Sequence, residues 1–352
     1  MNETQSNTET MGFSAQTSGL PATVGVDLGG TRFKIGWLGR AYELHAVQIH
    51  ETRGHRHVDE VLADMVIGID AARANAQAAG HSIVAVGIGV PAVIEPQEGR
   101  ILLAPNLSQS WQQFPLAASL GPLVGLPVHV LNDARSYTLA EARAGAARGI
   151  ANVLGITIGT GVGGGLVLDG QMRFGPHCFA GEFGHITCDP HGPRCGCGGL
   201  GCVEAYASGT AIAAAALRPL LQGRAPRLRE ILGGDNGAIN AQAVAAAAVL
   251  GDAECTEIFA RAGDALGIAI ANVMKIVDVE RVVIGGGVAA AAGLLFDPIR
   301  AAIRRHSPVF NGREPDLVAA QVSQAGAIGA AIWAQEQFSS SAANAQKGAR
   351  ND

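Results

Sequence analysis

The segment AGEFGHITCDPHGPRCGCGGLGCVEAY, residues 180–206, gathers four cysteines, two histidines and two glutamates among glycines. Cys195, Cys197 and Cys202 are spaced C-x-C-x4-C, and His185 lies ten residues before the first of them. Three thiolates and one imidazole would complete a tetrahedral zinc shell with no open position, a structural rather than a catalytic arrangement. C-x-C is tighter than the usual spacing of zinc ligands, so reduced thiols without a metal stand as the alternative. Cys178, Cys188 and His191 read as spare, because four ligands already close the shell. Glu182 and Glu204 flank the segment. Loop carboxylates are usually only solvated, yet an ionised carboxylate can accept two hydroxyl donors at once with charge-assisted strength.

Three glycine turns offer a second kind of chemistry: DLGGTRFK, with Asp27, Gly29, Gly30, Thr31 and Lys34; GTGVGGG, with Thr160 and Gly161; and IGGGVA, with Gly286 and Gly287. Glycine lets backbone N–H groups approach a phosphate with no Cβ in the way. None of the turns has the Walker spacing or a G-x-G-x-x-G before a helix, and tight turns explain each one without a ligand. Two carry threonine and one opens with aspartate. In that set Asp27 would hold a hydrated magnesium ion while Thr31, Lys34 and Thr160 face phosphates. Asp133, in VLNDA, falls between a strand and a helix. It reads either as a helix N-cap or as a proton acceptor reaching into a cleft. Asn106, after Pro105, reads as a turn residue.

The elements that must hold these residues form an α/β pattern. Residues 22–40 predict strand, glycine turn, strand. Residues 58–80 have helical spacing with Gly80 as the stop, 83–94 form a buried strand ending at Pro91, and 126–133 form another strand followed by a helix. The grammar then repeats: residues 152–170 predict a second hairpin about 130 residues after the first, a hint of duplication. Ala-rich helices over 211–221 and 241–249, a long helix over 255–278, a strand and glycine turn over 279–289, and a helix around 325–337 complete the chain. With 352 residues and 48% hydrophobic content, two well-buried domains are expected. A net charge of −5 and no basic block give no reason to expect a nucleic-acid partner. No apolar run is long enough for a membrane span, and the polar first residues are not a signal peptide. The six cysteines are then expected to stay reduced, in the cytoplasm.

Together VDLGGTRFKIGWL, LNDARSYTLAE, ITIGTGVGGGLVLDG, AGEFGHI and CGCGGLGCVEAYASG resemble the ROK family of sugar kinases and sugar-responsive repressors, over residues 22–337. The resemblance implies the actin-like, ribonuclease H-type ATPase fold with two lobes. Residues 22–131 would form the small lobe, completed by a C-terminal helix over 322–338, and 132–321 the large lobe with its zinc loop. Residues 1–21 and 339–352 would be disordered tails. It also implies that Asp133 is the catalytic base, that Asn106, Asn132, Glu182, His185 and Glu204 contact a sugar, and that zinc sits on His185, Cys195, Cys197 and Cys202 as a brace. Gly286 and Gly287 would line the nucleotide. Arg135 departs from the asparagine common at its place in the family, and Ala92 stands where glycine is usual.

The expected reaction is ATP- and magnesium-dependent phosphorylation of a hexose at its 6-hydroxyl, D-glucose giving glucose 6-phosphate, by a homodimer. The alternatives are N-acetylmannosamine or another hexose as substrate. A repressor would need a helix-turn-helix module ahead of the first hairpin, and the 26 residues before Asp27 have no helical periodicity.

Overall fold

The computed structural model describes residues 19–348. In chain order these form β1 (Leu20–Leu28), β2 (Arg32–Leu38), β3 (Leu44–Glu51), α1 (Val58–Ala78), β4 (His81–Val90), the short hairpin of β5 (Val93–Glu95) and β6 (Arg100–Leu103), α2 (Leu116–Val124), β7 (Val128–Asn132) and α3 (Asp133–Ala144). A second series follows: β8 (Val153–Ile158), β9 (Val162–Leu168), β10 (Gln171–Met172), α4 (Glu204–Ala207), α5 (Gly209–Leu221), α6 (Pro226–Leu232), α7 (Ala241–Val249), α8 (Ala253–Val277), β11 (Arg281–Gly285), α9 (Ala292–His306), β12 (Asp316–Ala319) and α10 (Ala325–Gly348).

The duplication hinted at by the two hairpins is present in the topology. One sheet has the order β3-β2-β1-β4-β7 and the other β10-β9-β8-β11-β12. Each begins as an antiparallel meander and adds two parallel strands, β4 and β7 in one, β11 and β12 in the other. Parallel strands covered on both faces read as continuous apolar runs, which is how β4 and β11 appear in the sequence. Helix α1 covers the first sheet with Val61, Met65, Ile69 and Ala72, all buried at helical spacing beside Phe33 and Ile35. Helix α8 does the same for the second series with Ile258, Phe259, Ala262, Leu266 and Ile270.

The last helix of each series crosses to the other sheet. Helix α3 leaves β7 but packs on β8 and β9, and α10 leaves β12 but packs on β1 and β4. Glycines make these crossings close. A Cβ on Gly25 would stand 2.0 Å from the Ala327 carbonyl oxygen, one on Gly87 1.8 Å from that of Ala330, and one on Gly329 1.7 Å from that of Ser136. Thr138 of α3 lies on Gly155 and Gly165, and Ala134 on Gly163. The glycine-rich GTGVGGG stretch therefore serves helix packing along β9 as well as its turn. The two connections between sheets meet at one buried carboxylate. Glu141 accepts the N–H of Ala146 after α3 (2.8 Å) and those of Gln321 (2.9 Å) and Val322 (2.7 Å) before α10.

The ends differ from expectation. The first strand opens at Leu20, and α10 continues to Gly348, beyond the helix end expected at 338. Polar residues such as those of SSSAANAQKG can form a solvated helical turn when a buried, Ala-rich stretch before them has already nucleated the helix. The rest of the expected tails, residues 1–18 and 349–352, lies outside the described residues. Among the described residues, no helix is long and apolar enough to cross a membrane.

Gly329→Ala sets two effects against each other. Alanine gains about 1 kcal/mol of helix propensity, but its methyl would meet the backbone of α3, which cannot rotate aside as a side chain can. Overpacking of this kind costs ~1–3 kcal/mol or more. The variant is expected to melt below wild type; an equal or higher melting temperature would show that the crossing opens freely.

Candidate active site

The N-terminus of α3 sets the centre of the site. Asn132, not Asp133, is its cap: Asn132 Oδ1 accepts the N–H groups of Ala134 (3.0 Å) and Arg135 (3.3 Å), and its Nδ2 donates to the Ala92 carbonyl (3.2 Å). Three of these side-chain bonding positions are thus spent on backbone, which leaves Asn132 one N–H for a ligand. Asp133 is the first helical residue and is released from capping. Its Oδ1 accepts the Ala134 N–H at 2.8 Å, and Oδ2 has no protein donor among the described residues.

Asp27, next to last in β1, stands opposite Lys34 on β2, so their side chains share one face of the hairpin. Its carboxyl also lies against Gly326 at the start of α10, where a Cβ would stand 2.6 Å from Cγ. The β1–β2 turn holds Gly29, whose N–H donates to the Arg32 carbonyl (3.0 Å), then Gly30 and the exposed Thr31. Asn106 comes to this turn from the β6–α2 loop, its backbone oxygen 3.3 Å from where a Cβ on Gly30 would be.

The second hairpin turn borders a cavity of about 460 Å³ lined by Gly159, Thr160, Thr210, Asn240, Gln242 and Gly287, among others. The Thr160 carbonyl accepts the hydroxyl of Thr210, and Gly209 N–H donates to the Gly159 carbonyl (2.8 Å). Thr160 and Gly287 are therefore brought together. Gly286 is not among the cavity's lining residues. It has φ +90° and packs where a Cβ would strike the Ile158 carbonyl, so it serves the turn itself.

His185, Cys195, Cys197 and Cys202 converge. One donor atom from each lies within 4.8 Å of all the others. Cys195 Sγ is 3.8 Å from His185 Nδ1, and Cys197 Sγ is 3.7 Å from Cys202 Sγ. Metal–sulfur legs of ~2.3 Å in a tetrahedral shell put sulfurs about 3.7 Å apart, so this donor set fits a closed four-coordinate metal site. His185 turns Nδ1 to the cluster, and its Nε2 has no partner among the described residues. Cys188 instead bonds the Gly201 carbonyl (3.2 Å), consistent with a spare thiol. Glu204 joins this cluster to the second hairpin: Oε2 accepts the Val162 N–H (3.0 Å), Oε1 lies 3.5 Å from Cys195 Sγ, and the absence of a Cβ on Gly161 makes room for the carboxylate.

Glu182 is tied to α3. The Arg135 guanidinium bonds Glu182 Oε1 (3.2 Å) and the carbonyls of Cys178 and Ala180. Electrostatics couple the same groups. Burial pushes the Asp133 carboxyl up to about 6, opposed by its Ala134 bond and reinforced by the negative charges of Asp27 and Glu182. Burial also raises Asp27, with Lys34 opposing. A carboxylate whose level approaches neutrality, with one oxygen free, is suited to accept a proton from a hydroxyl.

The ROK family pattern matches residues 23–337. The chain belongs to the ROK family. It is 34% identical over 320 residues to a glucokinase of Streptomyces coelicolor, covering 89% of this chain and 98% of that one. It is 32% identical over 318 residues to an N-acetylmannosamine kinase of Escherichia coli, covering 89% and 98%. A ROK family glucokinase from Streptomyces griseus, crystallised with glucose and AMPPNP, superposes with a TM-score of 0.75 at 33% identity, covering 90% of this chain and 99% of that one. The two-sheet architecture is thus that of ROK proteins, the actin-like, ribonuclease H-type ATPase fold.

Sequence reasoning passed over Arg135 except as a departure from the family, although an arginine buried in the first turn of a largely buried helix must find acceptors. Thr210, Asn240 and Gln242 carried no motif at all. If the cluster holds a metal, removing one thiolate by Cys197→Ser should lower both metal content and melting temperature, because metal binding is coupled to folding. Elemental analysis showing equal metal in both proteins, with unchanged melting, would separate the cluster from metal binding.

Proposed function

We propose that the protein transfers the terminal phosphoryl group of ATP to the 6-hydroxyl of a hexose, D-glucose becoming glucose 6-phosphate. The observation that carries this is Asp133: a buried carboxyl at the start of α3, pushed up to about 6, with one oxygen free of protein donors and the charges of Asp27 and Glu182 near it. Membership of the ROK family and the 34% identity to a glucokinase support glucose as the hexose. The relatives that phosphorylate N-acetylmannosamine support that amino sugar as a second reading.

In this reading the sugar lies between the two sheets. Glu182 and the Nε2 of His185 take its hydroxyls, and Asn106 and the remaining N–H of Asn132 bind from the first sheet. Glu204 holds the second turn to the cysteine cluster and reaches the sugar from there. The backbone of Gly29–Thr31 and of Thr160–Gly161, with Lys34, receives the phosphates, and Gly287 borders the nucleotide. Asp27 is a hard oxygen donor beside the phosphate turns, so a magnesium ion there would supply positive charge to the transferring group while keeping most of its waters. Zinc on His185, Cys195, Cys197 and Cys202 would be a brace with no open position, holding His185 and Glu204 in place. As the 6-hydroxyl oxygen bonds to phosphorus and ADP departs, Asp133 takes the hydroxyl proton and later releases it to solvent. Movement of the sheets towards each other excludes water from the transfer.

Four outcomes are expected. A coupled assay across glucose, N-acetylmannosamine, N-acetylglucosamine, mannose, fructose and allose, with ATP and with polyphosphate, should give its highest kcat/KM for glucose with ATP. Asp133→Asn should keep sugar affinity and lose ~10²–10⁴-fold in kcat; near-normal turnover removes Asp133 from the reaction. The same variant should be more stable at neutral pH, by of order 1–3 kcal/mol, because a carboxylate raised by burial weakens the fold once it ionises. The base must be deprotonated, so wild-type kcat/KM should be full well above pH 6 and fall as pH drops through about 6. A profile flat down to pH 4.5 would contradict the assignment.

A further inference from the structure

Arg135 is an expensive residue where it stands. Its side chain is 3% exposed, and a charge so placed costs stability unless it is paired. Its guanidinium lies over the Phe174 ring, 5.5 Å from the centroid, and gathers three acceptors from one loop: the carbonyls of Cys178 and Ala180, and Glu182 Oε1. That loop, residues 174–182, is otherwise anchored at its ends, by Phe174 beside Trp333 and by Gly181 against Gly164 and Gly165 of β9. Its own turns are closed by Cys178 N–H to Gly175, Ala180 N–H to Phe174 and Glu182 N–H to Phe179, all internal bonds. Cys178 and Gly181 both have positive φ, so the loop's backbone conformation is demanding as well. Arg135 reaches it from the first turn of α3, two residues after Asp133.

We infer that Arg135 is a positioning residue that fixes the spacing between the proton-accepting carboxylate of Asp133 and the sugar-binding carboxylate of Glu182. This rests on the reading of Glu182 given above. Pairing occupies one oxygen of Glu182 and leaves Oε2 to accept from the sugar, so the guanidinium decides which edge of the carboxylate is presented. Both carboxylates are then referred to one rigid helix turn. The sugar hydroxyl that reaches Asp133 is selected by this distance and not by the loop alone. All three acceptors meet one guanidinium nitrogen, Nη2; lysine keeps the charge but lacks the flat guanidinium that lies over the Phe174 ring.

The test is a double-mutant cycle with Arg135→Lys, Glu182→Gln and the pair together, reading hexose KM, ATP KM, kcat, and hydrogen exchange of residues 174–182. Each single variant should raise hexose KM about 10–100-fold, the range a charge-assisted hydrogen bond supplies, with ATP KM within about 2-fold. If Arg135 works through Glu182, the double variant should exceed Glu182→Gln by no more than about 2-fold. Loop amides should exchange faster in Arg135→Lys. Effects that multiply in the double variant, or a loop that exchanges as in wild type, overturn the inference. Should Arg135→Lys not fold, Glu182→Gln alone tests the link from its exposed end: faster loop exchange supports it and an unchanged loop overturns it. A wild-type protein that phosphorylates no hexose defeats the proposed function, and loop exchange then decides separately whether Arg135 holds the loop.

Discussion

The Ser136 carbonyl stands where Gly329 leaves space for it, and around that contact α3 and α10 cross with backbone against backbone. Everything at the site refers to this crossing. Helix α3 starts with Asn132 and Asp133 and carries Arg135; α10 starts beside Asp27. Contacts between backbones have no rotamers to relax into, so they transmit position more faithfully than side chains do. The Glu141 carboxylate adds a polar counterpart, binding the chain on both sides of the crossing through three N–H groups. A buried carboxylate with its lone pairs so satisfied is a specific joint, since no apolar residue could hold the same three donors.

Around the crossing the charges form a short series: Lys34, Asp27, Asp133, Glu182, Arg135. The carboxylates raise the Asp133 level and the cations at each end offset the charge of their neighbours. Asp133, the middle acid, is raised by its burial first and by the two neighbouring carboxylates second. The cysteine cluster stays out of this series. It meets the site through His185 and through Glu204, which reaches from Cys195 to the second glycine turn.

Much of this was legible in the chain. Hairpins show themselves by alternating apolar residues around glycine, and both were found within a residue or two, along with α1, α3, α5, α7, α8 and the parallel strands β4, β7 and β11. The four metal-type ligands were readable because C-x-C-x4-C and a nearby histidine are local. What could not be read was whatever depended on long-range contact. GTGVGGG looked like a phosphate loop, yet its later glycines lie under Ala134 and Thr138, some 30 residues earlier in the chain. Asp133 looked like a cap because Asn132 and Asp133 are both good caps, and only the structure shows that Asn132 takes the task. Strand β3 lacked a turn signal, and β12, with 4 residues, lacked length. Helix α10 outran its expected end because composition alone does not separate a solvated helix from a tail.

The exchanged helices also bear on how the chain is made. The face of β1 and β4 that α10 covers is made well before its cover, which begins at Ala325. Until α10 is made, the first sheet has a bare, glycine-notched surface shaped for a helix that does not yet exist. A sheet with one uncovered face is prone to sticking, so its completion waits on that later helix. The first sheet is in this sense closed from the far side of the second, and neither half is a finished folding unit without a piece of the other.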